Sequence, residues 1–413
     1  MDRFPTSTDV AIIGAGPSGA VAAALLVKHG YDVTVIEKEK FPRFSIGESL
    51  LPQSMEFLAE AGLKDSVDQA GFQFKNGAAF CFGENYGDFC FEEKFSPGPG
   101  TTYQVERALF DKILADGAAE KGAHIFYGYR VTRADFDNLP TLICEAENGE
   151  TTQLTARFVL DASGFGRVLP RLLNLDIPSN FPMRHSIFSH IQDNISDPQF
   201  DRDKILITVH HKHRDVWFWL IPFADGRSSF GVVATPEFLA ANKHKDNYSA
   251  MLLSLIQEDP NLSRLLDRAE LLFEPRSLKG YSCNVKSLHG NGFALLGNAG
   301  EFLDPVFSSG VTIAVKSASL AAQCLHQTFQ GKNIDWQQQY AEPLMKGVET
   351  FRVFVEAWYD TRLQDIIFAA QKNPKVKAMV SSILAGYAWD ENNPYVAESR
   401  RRVDVLAQIC KEF

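Results

Sequence analysis

Cysteine is scarce in this sequence and never paired. Six cysteines, at positions 81, 90, 144, 283, 324 and 410, are spread over 413 residues without a single C-x-x-C spacing. That pattern excludes a disulfide framework and a ribbon-type metal site, and it reads as buried thiols in a reducing compartment. A basic surplus is missing too: 41 Lys and Arg against 51 Asp and Glu leave a net charge of −10. Nucleic acid is therefore not an expected partner, because a basic face would have to be built against an acidic background. No long apolar run is present either. The longest weakly polar stretch, Val10 to Val27, is interrupted by Gly14, Gly16, Pro17, Ser18 and Gly19, as suits strand, turn and helix rather than a membrane span. Asp2 and Arg3 lead almost directly into that strand with no basic region or cleavage site, so the expectation is no signal peptide, no integral membrane segment and a cytoplasmic location. Internal repeats and low-complexity tracts are absent.

What is present is phenylalanine, 32 residues of it, within an aromatic content of 12%. Charged residues make up 22%, an ordinary globular value that argues against disorder, coiled coil or fibre. At about 100–200 residues per domain the length allows two to four domains. Asp9–Gly14 is a short apolar strand of the buried parallel kind, followed by a Gly-rich turn, an Ala/Leu helix ending at Gly30, and a second strand over Tyr31–Glu37. This is a βαβ unit of about thirty residues. A loop over Phe41–Gln53 leads into a helix reaching Gly62, and Gly71–Phe95 is aromatic and strand-like. A helix is expected from Gln104 to Gly122 with Val105, Leu109, Ile113 and Leu114 on one stripe. Strands follow to Leu160, then four more between Pro182 and Leu296 with helices near 246–256 and 260–268. A strand at Gly292, a helix over Val311–Leu325 and a helical, aromatic-rich remainder complete the chain.

Gly14, Gly16 and Gly19 form G-x-G-x-x-G between a strand and a helix, where glycine permits a tight turn and close approach of a pyrophosphate to the helix N-terminus. Glu37 ends the second strand 18 residues beyond Gly19, placed to accept from adenosine ribose hydroxyls, and Lys38 adjoins it. A dinucleotide is the expected ligand.

Two later segments say which one. Val159–Gly164 (VLDASG), with Asp161, resembles the second FAD-contacting segment of the flavoprotein monooxygenases related to p-hydroxybenzoate hydroxylase. Gly292–Gly300 (GFALLGNAG) resembles the third, with Asn298 where the group carries an aspartate that holds a ribityl hydroxyl; asparagine can still accept and donate there. Arg107 falls where that group places an arginine near the FAD phosphates, although a solvated helix arginine is the plain alternative. The resemblance implies FAD as cofactor. It also implies an α/β fold with three parts: a discontinuous FAD-binding Rossmann domain (1–70, 101–170 and 290–333), an inserted antiparallel substrate sheet (71–100 and 171–289) and a helical C-terminal region (334–413).

More specific segments narrow the group. Trp217-x-Trp219-x-Ile221-Pro222 and Phe302-x-x-Pro305-x-x-Ser308-x-Gly310 are similar to the W-x-W-x-I-P and F-x-x-P-x-x-S-x-G segments of flavin-dependent halogenases. Lys75, in GFQFKNGAAF, lies where phenol and pyrrole halogenases carry a reactive lysine. Val216 replaces the usual glycine before the first tryptophan. Phe307 stands where tryptophan halogenases place a carboxylate, so free tryptophan is not the expected substrate. The resemblance implies that reduced FAD and oxygen convert chloride or bromide to hypohalous acid, which Lys75 would hold and aim at an aromatic carbon. An amine buried among Phe72, Phe74 and Phe80 has its charged form disfavoured, which suits a nucleophile. Strand alternation alone also permits Lys75 to face solvent.

Trp217 and Trp219 share a strand face and suit either a dry passage wall or plain core. Ser308, Ser309, Gly310 and Val311 open a helix whose amides suit the reduced flavin's negative charge or a halide, with Pro305 stiffening the loop. Arg43, Ser45 and Glu48-Ser49 sit in a loop that approaches the flavin in this group. His185 and His190 are candidates for the substrate side, whereas His210, His211 and His213 lack the pattern of a metal site. Arg400–Arg402 reads as a solvated helix end or as a docking patch for an acidic carrier protein. No separate nicotinamide-binding unit is visible, so the resemblance implies a partner flavin reductase fed by NAD(P)H. The leading expectation is halogenation of a phenol or pyrrole, free or carrier-tethered. The alternatives are aromatic hydroxylation, double-bond reduction of the geranylgeranyl reductase kind, and a flavin-binding scaffold without turnover.

Overall fold

The strand Ser7–Ile13, apolar at every position from Val10 onward, lies at the centre of a parallel sheet. Thr151–Asp161 pairs with it on one side and Val33–Glu37 on the other. Phe293–Leu295 and His124–Tyr127 extend the sheet in parallel at either side. Burial on both faces explains why these strands are continuous apolar runs rather than alternating ones. In the computed structural model of the protein, residues 3–369 and 373–411 are described.

Helix Pro17–Lys28 packs against Ser309–Phe329 and Arg107–Glu120. Its run from Ala20 to Ala24 is fully buried, and small residues (Ser317, Ala318, Ala321) are buried on the facing helix. Helix Arg107–Glu120 departs from the expected stripe. Leu109 is 44% exposed, and the inward face instead carries Arg107, Phe110, Asp111, Leu114 and Ala118. The two charged residues follow the i, i+4 spacing of that face because they neutralise each other there.

The second sheet runs in the order Glu270–Leu271, His185–Gln192, Arg227–Ala234, Trp217–Pro222, Lys204–Val209, Gly77–Phe82, Asn85–Cys90. It is antiparallel except where Lys204–Val209 meets Gly77–Phe82. Strand alternation divides its residues between two cores. Val216, Phe218 and Leu220 face helices Tyr248–Glu258 and Pro260–Leu266. Trp217, Trp219 and Ile221 face the main core that also holds the first sheet. A short ribbon, Gln73–Lys75 with Thr102–Gln104, stands apart from both sheets. From Glu342 onward the described chain is helical, and Phe351, Phe354 and Trp358 are buried in the main core. No described helix is long and apolar enough to cross a membrane.

Candidate active site

A cavity of about 350 Å³ runs from the end of strand Ser7–Ile13 to the inner face of the second sheet. At its first end the chain turns at Gly14, where φ is +98° and an added Cβ would lie 2.7 Å from the Ala162 carbonyl oxygen. Only glycine satisfies both conditions. Helix Pro17–Lys28 then starts with Gly16 as N-cap, Pro17 in the first turn, no capping side chain and no acidic residue. Its free amides and positive dipole end therefore remain available for an anion. Gly19 does not line the cavity; a Cβ there would lie 1.9 Å from the Gly14 carbonyl oxygen, so it serves helix–strand packing.

Glu37, buried at the end of its strand, accepts from the Ala15 amide at 2.8 Å and from the Glu39 amide at 2.9 Å. Glu37 and Lys38 line the cavity, joined by Tyr129, Arg130 and Val131 of strand Tyr129–Asp135. Arg43 and Arg107 also line it and share one buried carboxylate: Asp111 accepts from Arg43 at 2.8 Å and from Arg107 at 2.7 and 3.0 Å. Two guanidinium groups on one carboxylate leave a unit of positive charge, and the Arg43 side chain lies 3.6 Å from where a Cβ of Gly16 would be. That positive charge beside an uncapped helix start suits a diphosphate. Arg107 further donates to the Ile46 carbonyl at 2.6 Å, tying down the loop that carries Ser45, Glu48 and Ser49.

The middle of the cavity is formed by Ser163–Gly166, Asn298, Phe302, Pro305, Ser308, Gly310 and Val311. Ser308, at φ +55°, turns the chain into helix Ser309–Phe329, whose first turn has neither a capping side chain nor an acidic residue. Ser309 lies within that turn, buried and off the cavity wall. Asp161 is also off the wall. It is fully buried, accepting from the Ser163 and Leu169 amides at 2.9 and 2.6 Å, so it shapes the Ser163–Gly166 loop from behind. Arg167, buried and at φ +46°, donates to the carbonyls of Asn298, Ala299 and Gly300 at 3.1–3.2 Å and pins that segment in place.

On the sheet side, Trp217 and Trp219 line the cavity with Ile205, Ile207 and Ile221. Their ring centroids are 6.1 Å apart, and each indole N–H has a partner, Tyr359 for Trp217 and Ser229 for Trp219. Trp358 packs edge-on against Trp217 and Phe307.

Lys75 faces inward: it is 0% exposed, and its neighbour Phe74 is the residue turned to solvent. Its ammonium nitrogen donates to the Ser49 hydroxyl and the Leu50 carbonyl, both at 2.7 Å, and lies 5.5 Å from the Phe91 ring centre. Burial alone lowers its pKa to about 7. Lys75 is not itself in the cavity wall; Ser49, which is, separates the amine from the cavity.

Glu48, in the cavity wall, meets the buried His190 at 2.7 Å, and its second oxygen has no hydrogen-bond partner among the described residues. His185 is buried in the second sheet, where desolvation and then Lys279 lower its pKa to about 4. His210 and His211 stack at 4.6 Å, and no described group of three His, Cys, Asp or Glu is arranged to hold a metal. The basic run is spent on local ion pairs: Arg400 meets Glu356, and Arg401 and Arg402 meet Glu398. Tyr129–Val131, Phe165, Gly166, Tyr281 and the buried Asp304 were not legible as site residues, whereas Ser163 and Gly164 lie in the segment Val159–Gly164 that the sequence singled out. Only the Asp304-Pro305 step inside the F-x-x-P segment carried any signal.

The glycine cradle, the two uncapped helix starts and the paired arginines fit FAD. A family profile described as FAD binding domain matches residues 7–343. A flavin-dependent halogenase, gsfI of Penicillium aethiopicum, is 30% identical over 86% of this chain and 71% of its own. The chain belongs to the flavin-dependent halogenase family of FAD-binding proteins. This FAD-dependent oxidoreductase is also 27% identical to the 1H-pyrrole-2-carbonyl-[peptidyl-carrier protein] chlorinase of Pseudomonas fluorescens, over 96% of this chain and 92% of the relative. Among solved structures, a flavoprotein/dehydrogenase from Cytophaga hutchinsonii superposes on this halogenase-family protein with a TM-score of 0.94 at 42% identity, covering 98% of this chain and 99% of the other. The FAD-binding Rossmann domain, inserted antiparallel sheet and helical C-terminal region are thus the architecture of the family.

Proposed function

We propose that this protein halogenates an electron-rich aromatic ring, a phenol or a pyrrole, using FAD, oxygen and chloride or bromide. The observation that carries the reading is Lys75: an amine fully buried, without a carboxylate partner in the hydrogen bonds it makes, and one hydroxyl away from the flavin cavity. When bound and reduced, FAD supplies two electrons with which oxygen converts halide and a proton to hypohalous acid and water. Ser49 stands where that acid would leave the cavity, and the wall of Trp217, Trp219 and isoleucines keeps the passage dry. Burial lowers the Lys75 pKa to about 7, which makes its neutral amine accessible near neutral pH. The neutral amine either hydrogen-bonds the acid or attacks its halogen, forming an N–X bond as hydroxide leaves and takes the amine proton as water. The ring carbon then takes the halogen, loses its own proton and returns the free amine. The amides opening helix Ser309–Phe329 provide positive potential for the halide or for negative charge on the flavin.

NAD(P)H enters through a separate flavin reductase in this reading. The pyrrolyl-carrier chlorinase among the relatives supports a substrate held as a thioester on a carrier protein. The test is aerobic turnover of a phenol and pyrrole panel with a flavin reductase, with and without bromide, read by mass spectrometry. A bromide-dependent product is expected. Lys75→Ala is expected to lower it by at least about 100-fold, the range for removing a positioned acid–base or nucleophilic group, while oxygen consumption persists. Equal turnover without halide overturns the reading in favour of hydroxylation. The solved structure described as a flavoprotein/dehydrogenase supports a second reading, hydride transfer through the flavin, which predicts turnover without oxygen.

A further inference from the structure

The hydrogen bonds around Lys75 leave two things unassigned: a third position on its nitrogen and the proton of its neighbour Ser49. Among the described residues the amine donates to two acceptors, the Ser49 hydroxyl and the Leu50 carbonyl, both at 2.7 Å. An ammonium has three protons to place, a neutral amine two. The pair of acceptors therefore matches the neutral amine, whose lone pair is left free of hydrogen bonds.

Ser49 is 3% exposed, lies in the cavity wall and is fixed by a backbone bridge to Gln104. Its oxygen accepts from Lys75, and its own proton has no acceptor among the described residues. A hydroxyl carries one donor and two acceptor lone pairs. With its oxygen engaged by the amine, the proton is what Ser49 offers to a molecule arriving from the cavity.

Halogen transfer to an amine calls for such a group. The nitrogen lone pair attacks hypohalous acid in line with the bond that breaks, so the N–X bond forms while the O–X electron pair departs with oxygen. The departing hydroxide then lies on the far side of the halogen, out of direct reach of the amine proton. A hydroxyl that touches the nitrogen and also reaches that oxygen completes the proton path.

We propose that Ser49 is a catalytic residue, the proton relay that loads halogen onto Lys75. Its oxygen takes the amine proton while its own proton passes to the departing hydroxide. RNH2 and HOX become RNHX and water, and the serine hydroxyl is regenerated. That role rests on the halogenation reading above and adds the path its proton takes. A serine that only anchors the amine behaves differently. Its loss leaves the ammonium one acceptor fewer, which disfavours the charged form and moves the pH profile to lower pH with the plateau intact. Loss of a relay lowers the plateau itself.

The test is a single turnover of the FAD-loaded full chain, reduced chemically and mixed with oxygen and bromide at a series of pH values, without an aromatic substrate. The N-bromo adduct is read as iodide-oxidising equivalents on the protein, with Lys75→Ala as blank. Free hypobromous acid is captured by a 1,3-diketone. Ser49→Ala is expected to lower the plateau ratio of adduct to free acid by about 100-fold, the lower end of what a positioned acid–base group contributes. Ser49→Thr, which keeps the hydroxyl, is expected to retain most of it. An unchanged plateau in Ser49→Ala, shifted along the pH axis or not, overturns the relay. Where Ser49→Ala fails to fold, the matched pair Ser49→Thr and Ser49→Val decides, and equal ratios overturn it. A wild type that yields free acid or a brominated aromatic without the adduct sinks the relay alone; one that yields none of the three sinks the halogenation reading with it.

Discussion

Lys75 shows how burial sets chemistry at a single residue. Its ammonium donates to the Ser49 hydroxyl and the Leu50 carbonyl, neither of them an anion, and desolvation brings its pKa to about 7. An unfolded lysine titrates near 10.4. Between those values the unfolded chain therefore binds more protons than the folded one, and the contribution of Lys75 to stability rises with pH. Lys75→Met is expected to remove this component. The difference in Tm between wild type and variant should move in favour of the wild type as pH is raised from 7 to 10, and stay level below 7. A difference independent of pH across that window is the opposite outcome. Phe74 and Lys75 also show what strand alternation leaves undecided. The pattern required one to face in and the other out, and the aromatic residue is the exposed one. The ribbon pairing of Lys75 with Thr102 turns the amine toward the Ser49 loop instead.

At the scale of elements, helix Arg107–Glu120 and the loop preceding Gln53 act as one unit. Asp111 lies inside the molecule with two guanidinium groups on it, and Arg107 carries the Ile46 carbonyl as well. Removing one partner of a buried ion pair costs about 3–5 kcal/mol because the other charge is left behind. Asp111 keeps Arg43 when Arg107 is removed, so Arg107→Ala is expected to destabilise the protein by less, about 1.5–3 kcal/mol as for a hydrogen bond to a charged group, and to weaken FAD binding. The double change Arg107→Leu with Asp111→Leu is expected to restore much of the denaturant stability while FAD affinity stays low. Recovery of both would make the arginine a packing residue only. The expected apolar stripe on this helix was misread at Leu109 because its inward face is partly ionic, and hydrophobic periodicity does not register a buried salt bridge.

For the whole molecule, one core contains residues of both sheets. Val10 and Leu160 of the first and Trp217 and Trp219 of the second belong to a single buried cluster, and the cavity wall is drawn from residues 13 to 314. Elements that share a core unfold together, so a single thermal transition is expected, and FAD should shift all of it. At a hundredfold excess over Kd the ligand adds about 2.7 kcal/mol to stability. Two separated transitions in calorimetry, with only one moved by FAD, would mean that the sheets fold as independent units.

The nucleotide end was legible from Gly14, Gly16 and Glu37, because a tight turn beside a helix start imposes residue types within one short stretch of chain. The two-sheet architecture was legible through the resemblance of three separated segments, around Gly14, Asp161 and Asn298, to those of FAD-dependent monooxygenases. The Trp217–Trp219 face followed from a period of two. The Asp161 and Ser309 side chains turned out to shape the wall rather than form it, since sequence spacing locates a segment without saying which side of it faces the ligand. The direction of Lys75, the sharing of Asp111 by two arginines and the placing of Tyr359 between Trp217 and Asp304 were decided only by tertiary structure. Their partners are separated by as few as four residues or as many as 142. The sequence by itself determined the elements and the cofactor cradle, where the physics is local. Which charges are buried, and what they face, depends on desolvation by distant segments, and no local pattern encodes that.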